Sequence, residues 1–168
     1  MDTVVSPSDH ELLVQAQALG RKLASVNHTV ATAESCSGGW IAKTITDVVG
    51  CSKWFEAGLV AYSYEAKQAL LGVRQETLLR AGAVSEETAL EMVSGALIRS
   101  GATMAVAVTG IAGPGGGTPD KPVGSIWIAW MQRGRYPRAE LFHFDGDREQ
   151  IRRQTVAAAL AGLQAMLA

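Results

Sequence analysis

Residues 104–108 form an unbroken apolar run that stops against Thr109-Gly110-Ile111-Ala112-Gly113-Pro114-Gly115-Gly116-Gly117-Thr118. A strand with one wet face alternates apolar and polar side chains, so a continuous run belongs to a central strand covered on both faces. Ligands of open α/β sheets bind beyond the carboxyl ends of such strands, where this glycine-rich segment begins. Glycine costs chain entropy on folding, so a loop this rich in it points to function as well as to a surface connection.

The rest of the chain supplies the layers. Ser8 and Glu11 have capping-box spacing, and Leu12, Leu13, Ala16, Leu19 and Leu23 repeat at helical spacing, which predicts a helix over 9–25. A β-branched stretch predicts a strand over 29–33, followed by a turn over 35–39 and a helix over 40–49 ended by Gly50. A strand over 54–62 and short helices over 65–71 and 75–81 come next. Ser85 then opens a helix that runs to about Arg99. Strands over 123–131 and 138–144 are close enough to form a hairpin, and Asp147 caps a last helix reaching about Met166. Strands alternating with helices predict an α/β fold: a three-layer α/β/α sandwich with a mostly parallel mixed sheet and a late antiparallel hairpin.

With 168 residues the chain is expected to be one domain, 1–168, that needs neither disulfides nor metal to fold. Apolar residues at 48% and charged residues at 18% exclude disorder. A net charge of -1 gives no field drawing the protein to nucleic acid or a membrane surface. No run is long enough to span a bilayer, and the first ten residues hold Asp2 and Asp9 but no Lys or Arg, so a cytoplasmic protein is expected. Cys36 and Cys51 form no metal signature and read as small, reduced side chains, and no other ligand set for a metal is evident.

Two further segments can carry chemistry. In Ala33-Glu34-Ser35-Cys36-Ser37-Gly38-Gly39 a strand gives way to a helix. Backbone amides at such a corner suit an anion, and a serine there serves as nucleophile or as helix cap. Tyr62-Ser63-Tyr64-Glu65-Ala66-Lys67 lies at the next strand end. A serine nucleophile needs a base, and none of His10, His28 and His143 forms a persuasive triad. Lys67 can take that role if burial lowers its pKa; otherwise it is a solvated helix lysine. Arg148, Arg152 and Arg153 can reach an anionic substrate or form a solvated face.

These segments, in this order and spacing, resemble the CinA C-terminal domain family over nearly the whole chain from about Glu11, as does Gly58-Leu59-Val60-Ala61-Tyr62-Ser63. The resemblance implies a stand-alone nicotinamide-nucleotide amidohydrolase. Such an enzyme hydrolyses nicotinamide mononucleotide to nicotinate mononucleotide and ammonia without a cofactor, in pyridine nucleotide salvage. It further implies Ser35 as nucleophile, Lys67 as general base, Tyr62 as the assisting tyrosine and Thr109 in the pocket wall. The expected substrate contacts are Glu34, Cys36, Ser37, Gly38 and Gly39 from the first loop, Thr109, Gly110, Gly113, Gly115 and Gly116 from the second, and Arg148. An asparagine is common in the family where Tyr64 stands, so Tyr64 is expected to reshape the pocket mouth. A non-catalytic nucleotide- or partner-binding domain of the competence type is the alternative; a metal-dependent phosphatase fits less well. Trp40, Trp54, Trp127 and Trp130 exceed what one small core needs and suggest a homodimer interface.

Overall fold

The computed structural model describes residues 4–168; the first three residues of the N-terminal stretch read above lie outside it. Helix α1 (Asp9–Ser25) starts on Ser8, whose capping box with Glu11 is complete. Strand β1 (Val30–Glu34) leads through the 35–39 turn into α2 (Trp40–Thr46). A short 3-10 helix, Cys51–Lys53, precedes the edge strand β2 (Phe55–Val60). Three helices follow: α3 (Tyr64–Leu71), α4 (Gln75–Ala81) and α5 (Glu86–Ser100). Strands β3 (Met104–Gly110), β4 (Ser125–Gln132) and β5 (Arg138–His143) precede α6 (Arg148–Ala165), which is capped by Asp147.

The sheet order is β2-β1-β3-β4-β5. β1 pairs in parallel with β2 and β3, while β4 pairs antiparallel with both β3 and β5. Four strands therefore point one way and β4 alone runs back. Helices α1, α2 and α6 cover one face, where Met104, Val106, Val108, Ile126, Ile128 and Trp130 meet Leu19, Ile41, Val156 and Leu160. Helices α3, α4 and α5 cover the other, where the sheet shows mainly alanine (Ala33, Ala105, Ala107, Ala129) to Ala89, Met92, Val93 and Ala96. Small residues on both partners let α5 lie close to the sheet. The three layers are those the sequence predicts.

Several boundaries differ for physical reasons. β1 continues to Glu34 because that residue still pairs with Val60 on one side and Val108 on the other. β3 keeps its ladder through Gly110, which opposes Ile126, so the glycine-rich loop begins at Ile111. The second predicted helix ends at Thr46 instead of Val49, and the chain turns through the 3-10 segment. Ser63 accepts a hydrogen bond from the Ala66 amide and starts α3 at Tyr64.

The tryptophans are used within the chain. Trp54 and Trp130 are buried, and the Trp130 indole donates to the Ala159 carbonyl at 3.0 Å. Trp40 and Trp127 pack against the two cores from their edges. They therefore give no separate pointer to a dimer interface. Among the described residues no helix is long and apolar enough to cross a membrane.

Candidate active site

Alternation along β1 decides where two chemically different side chains go. Successive strand residues point to opposite faces. Ala33 faces the α5 layer, so Glu34 turns toward α2 and Ser35 turns back toward α3. Glu34 is fully buried, and its carboxylate gathers four donors. Ser37 Oγ (2.7 Å) and the Ile41 amide (2.8 Å) reach one oxygen; the Ala42 amide (2.9 Å) and Thr32 Oγ1 (3.2 Å) reach the other. A carboxylate among the first amides of a helix satisfies orphan donors and complements their partial positive charge. Glu34 thus fastens the end of β1 to α2.

Ser35 is 7% exposed and Lys67 1%. Lys67 Nζ donates to Ser35 Oγ at 2.9 Å, to the Tyr62 carbonyl at 2.9 Å and to the Ala61 carbonyl at 3.2 Å. Helical side chains lean toward the helix N-terminus. One turn into α3, Lys67 therefore reaches back over the end of β2 to meet Ser35 on the neighbouring strand. It has no carboxylate partner among the described residues. Burial holds the ammonium below the ordinary lysine pKa. Cys36, beside it, is pushed by burial up to about 12, so it stays a neutral thiol and is no rival nucleophile.

The backbone of the turn is equally specified. The Ser35 amide donates to the Val108 carbonyl at 3.1 Å and the Gly38 amide to the Ser35 carbonyl at 3.0 Å. Gly38 and Gly39 both have positive φ, which an L side chain rarely adopts, so the sequence needs two glycines here. Among the described residues the amides of Cys36, Ser37 and Gly39 meet no acceptor. From α6, Arg152 donates to the Cys36 carbonyl (3.1 Å) and the Ser37 carbonyl (3.0 Å). Its guanidinium lies 5.1 Å from the Trp40 ring, with that of Arg153 at 4.9 Å. Arg153 is taken up by Asp9 and Glu149. Neither arginine forms a solvated face. The charge pattern revealed that both existed, but not that one turn of α6 would carry Arg152 to a loop more than a hundred residues away.

The second loop meets the first from the side. Thr109 is buried next to Ser35 in register, but its hydroxyl donates to the Ala83 carbonyl at 2.7 Å. A side chain at Gly110 would strike the Ser125 carbonyl and Ile126, so this glycine serves the approach of β4. The buried Gly113 offers its carbonyl to Arg148 at 2.7 Å, while Gly115 and Gly116 are exposed. Arg148 also donates to the Tyr62 hydroxyl at 3.5 Å. Tyr62 is 62% exposed and its hydroxyl bonds neither Lys67 nor Ser35; its carbonyl accepts from Lys67. Tyr64 is partly exposed, its hydroxyl 3.9 Å from where a Cβ on Gly82 would stand. His28 lies at the other end of the sheet, just before β1, and His10 and His143 are exposed, so no imidazole approaches Ser35.

An α/β domain that buries an uncompensated lysine on a serine at a strand-to-helix corner has the parts of a Ser-Lys acyl-transfer site. The CinA C-terminal domain pattern matches residues 14–167, and the chain belongs to that family. It is 50% identical over 158 residues to the nicotinamide-nucleotide amidohydrolase PncC of Escherichia coli strain K12, covering 93% of this chain and 94% of the relative. A protein of the same name from Pseudomonas putida is 54% identical over 148 residues, or 88% and 92% of the two chains. The competence/damage inducible protein CihA from Agrobacterium tumefaciens superposes with a TM-score of 0.91 at 42% identity, covering 98% and 99%.

Proposed function

We propose that this protein hydrolyses the carboxamide of nicotinamide mononucleotide to nicotinate mononucleotide and ammonia, with Ser35 as nucleophile and Lys67 as base. The observation that carries the chemistry is Lys67 Nζ at 2.9 Å from Ser35 Oγ, in a buried setting without a counter-charge. The substrate follows from relatives that carry this activity in their name.

The hydrogen bonding around Lys67 supports the proton inventory. A neutral amine has two N–H groups and one lone pair. The Ala61 and Tyr62 carbonyls only accept, so in the neutral form they take the two N–H groups, and the contact to Ser35 that the ammonium donates reverses, with the lone pair receiving the hydroxyl proton. Ser35 Oγ forms a bond to the amide carbon as its proton passes to Lys67. The resulting ammonium returns that proton to the amide nitrogen, the C–N bond breaks and ammonia leaves. Lys67 then deprotonates water, which attacks the ester carbon; the Ser35 alkoxide departs and recovers its proton. Tyr62 assists through its carbonyl, which holds the amine in place.

The remaining residues divide by reach. The unpaired amides of the 35–39 turn face the oxyanion; one such donor is typically worth about 3–4 kcal/mol of barrier. Arg148 and the exposed backbone of Gly115 and Gly116 serve the phosphate and ribose, and Thr109, Cys36, Gly38 and Gly39 shape the wall. Ammonia release from nicotinamide mononucleotide by purified wild type and Ser35→Ala is the test. The variant is expected to lose at least about 10³-fold in rate. Release at the wild-type rate by Ser35→Ala, or none by the wild type, ends this reading and leaves the non-catalytic binding domain.

A further inference from the structure

We infer that Arg152 is a positioning residue that sets the Ser37 amide as the oxyanion donor. The inference rests on the amidohydrolase reading and deepens it.

A trans peptide is planar, with its C=O and N–H pointing in opposite directions. Arg152 Nε binds the Cys36 carbonyl at 3.1 Å, and that carbonyl shares its peptide plane with the Ser37 N–H. Fixing one fixes the other. Arg152 reaches down from α6, on the α1/α2/α6 side of the sheet, whereas Ser35 Oγ turns to the α3 side where Lys67 waits. The Ser37 N–H is therefore directed away from Arg152 and toward the serine side, where it has no acceptor among the described residues. The second arm of the fork acts on the next peptide. It binds the Ser37 carbonyl at 3.0 Å and so orients the Gly38 N–H, which donates to the Ser35 carbonyl at 3.0 Å and closes the turn.

The clamp is also electrostatic. Arg152 has no carboxylate partner among the described residues, so its charge falls on two carbonyl oxygens. A cation on a peptide oxygen polarises the peptide and strengthens its N–H as a donor. Stacking on Trp40 restrains the guanidinium, and Gly38 leaves it room: a Cβ there would stand 3.1 Å from an Arg152 nitrogen. A lysine cannot reproduce this, because its ammonium is a point charge and not a planar fork.

The test compares wild type, Arg152→Ala, Arg152→Lys and Ser35→Ala in ammonia release from nicotinamide mononucleotide, with circular dichroism to verify folding. Arg152→Ala should lower kcat by about 10–100-fold, less than the full loss of an oxyanion donor, with KM within about threefold. The Lys67 limb of its pH profile should stay in place. Guanidinium ion at tens of millimolar should return at least about threefold of the lost kcat to Arg152→Ala and nothing to wild type. Arg152→Lys, which keeps the charge and its stack on Trp40, should fall between and carries the test if the alanine variant does not fold. A folded variant with wild-type kcat, a loss confined to KM, or a loss that guanidinium does not touch overturns the inference. Ser35→Ala separates the two claims. If it is inactive while Arg152→Ala is normal, only the positioning role falls; if it is active, the amidohydrolase reading itself falls.

Discussion

Lys67 Nζ stands 2.9 Å from Ser35 Oγ, and its other two acceptors are the Ala61 and Tyr62 carbonyls, just beyond the end of β2. The base is thus held by main chain, and the side chains nearby leave its charge state to burial. Because burial lowers the Lys67 pKa, the neutral base accumulates as pH rises through a value below that of an ordinary lysine. The expected kcat/KM climbs with pH and levels off before about pH 10.4, the reference value for free lysine. Lys67→Arg keeps a cation that does not deprotonate, and should lose about 10²–10⁴-fold at every pH. A rate flat from acid to alkaline pH in the wild type would falsify the base assignment.

The same group leaves a signature in stability. Its folded pKa is depressed, so between that pKa and about 10.4 the unfolded chain binds more protons than the folded one. Stability contributed by Lys67 is lowest below the folded pKa and rises with pH through this window. Lys67→Met lacks the titration but also leaves the Ala61 and Tyr62 carbonyls without a donor, so the pH slope is a cleaner readout than the sign at one pH. In urea denaturation, wild type minus Lys67→Met should grow more favourable from pH 7 to pH 10. Parallel curves would show that the amine does not titrate differently on folding.

Much of this arrangement is legible in the sequence because it is local. Caps mark α1, α5 and α6, the run 104–108 marks the central strand, and the two glycines of the 35–39 turn mark the corner. Ser35 and Lys67 stand out as a serine at that corner and a lysine one turn into the next short helix. What the sequence does not carry is direction. Nothing in Glu34-Ser35 says which side chain turns to α2 until the strand is seated in its sheet. Tyr62 is expected as an assisting tyrosine, yet its hydroxyl meets Arg148 and its carbonyl alone meets Lys67. Arg152 is hidden for the same reason: its partners Cys36 and Ser37 are brought to it by α6 packing across the fold.

Glu34 gives a prediction in which stability and activity fall together. Its carboxylate holds two backbone amides of α2 and two hydroxyls in a fully buried place. Hydrogen bonds to a charged group are worth about 1.5–3 kcal/mol each, and the orphaned amides add their own cost. Glu34→Ala should lose at least about 3 kcal/mol of stability, with the Ser35 turn loosened. Urea midpoints measure this; a loss under about 1 kcal/mol would mean that water replaces the carboxylate without penalty.

Arg148 and Arg152 sit one helical turn apart on α6 and should separate kinetically. Arg152 touches the Ser35 turn and the Trp40 ring, whereas Arg148 bridges Tyr62 and Gly113 at the mouth and is exposed to an incoming anion. If Arg148 meets the phosphate, Arg148→Ala removes a charged hydrogen bond of about 1.5–3 kcal/mol, a rise in KM of about 10–150-fold. Its kcat should change far less. Steady-state kinetics on nicotinamide mononucleotide reads both numbers, and an unchanged KM removes Arg148 from the binding site.

A glycine far from the serine should also control the reaction. Gly95, in the middle of α5, faces the end of α3, and an added Cβ would fall on the Leu71 carbonyl oxygen. Leu71 lies one turn beyond Lys67 on the same buried face of the same helix. Alanine in place of a mid-helix glycine gains about 1 kcal/mol in intrinsic helix propensity. The clash is with backbone, which cannot rotate aside as a side chain does, and overpacking of this kind costs about 1–3 kcal/mol. The cost should win, by moving α3 off α5. Because α3 is only two turns long, that movement shifts Lys67 as well, and near-attack geometry is sensitive to displacements of about 1 Å. Gly95→Ala should therefore lower kcat by at least about tenfold while lowering the thermal midpoint. A variant with wild-type kcat and a lowered midpoint would show that α3 yields at Leu71 without carrying Lys67 with it.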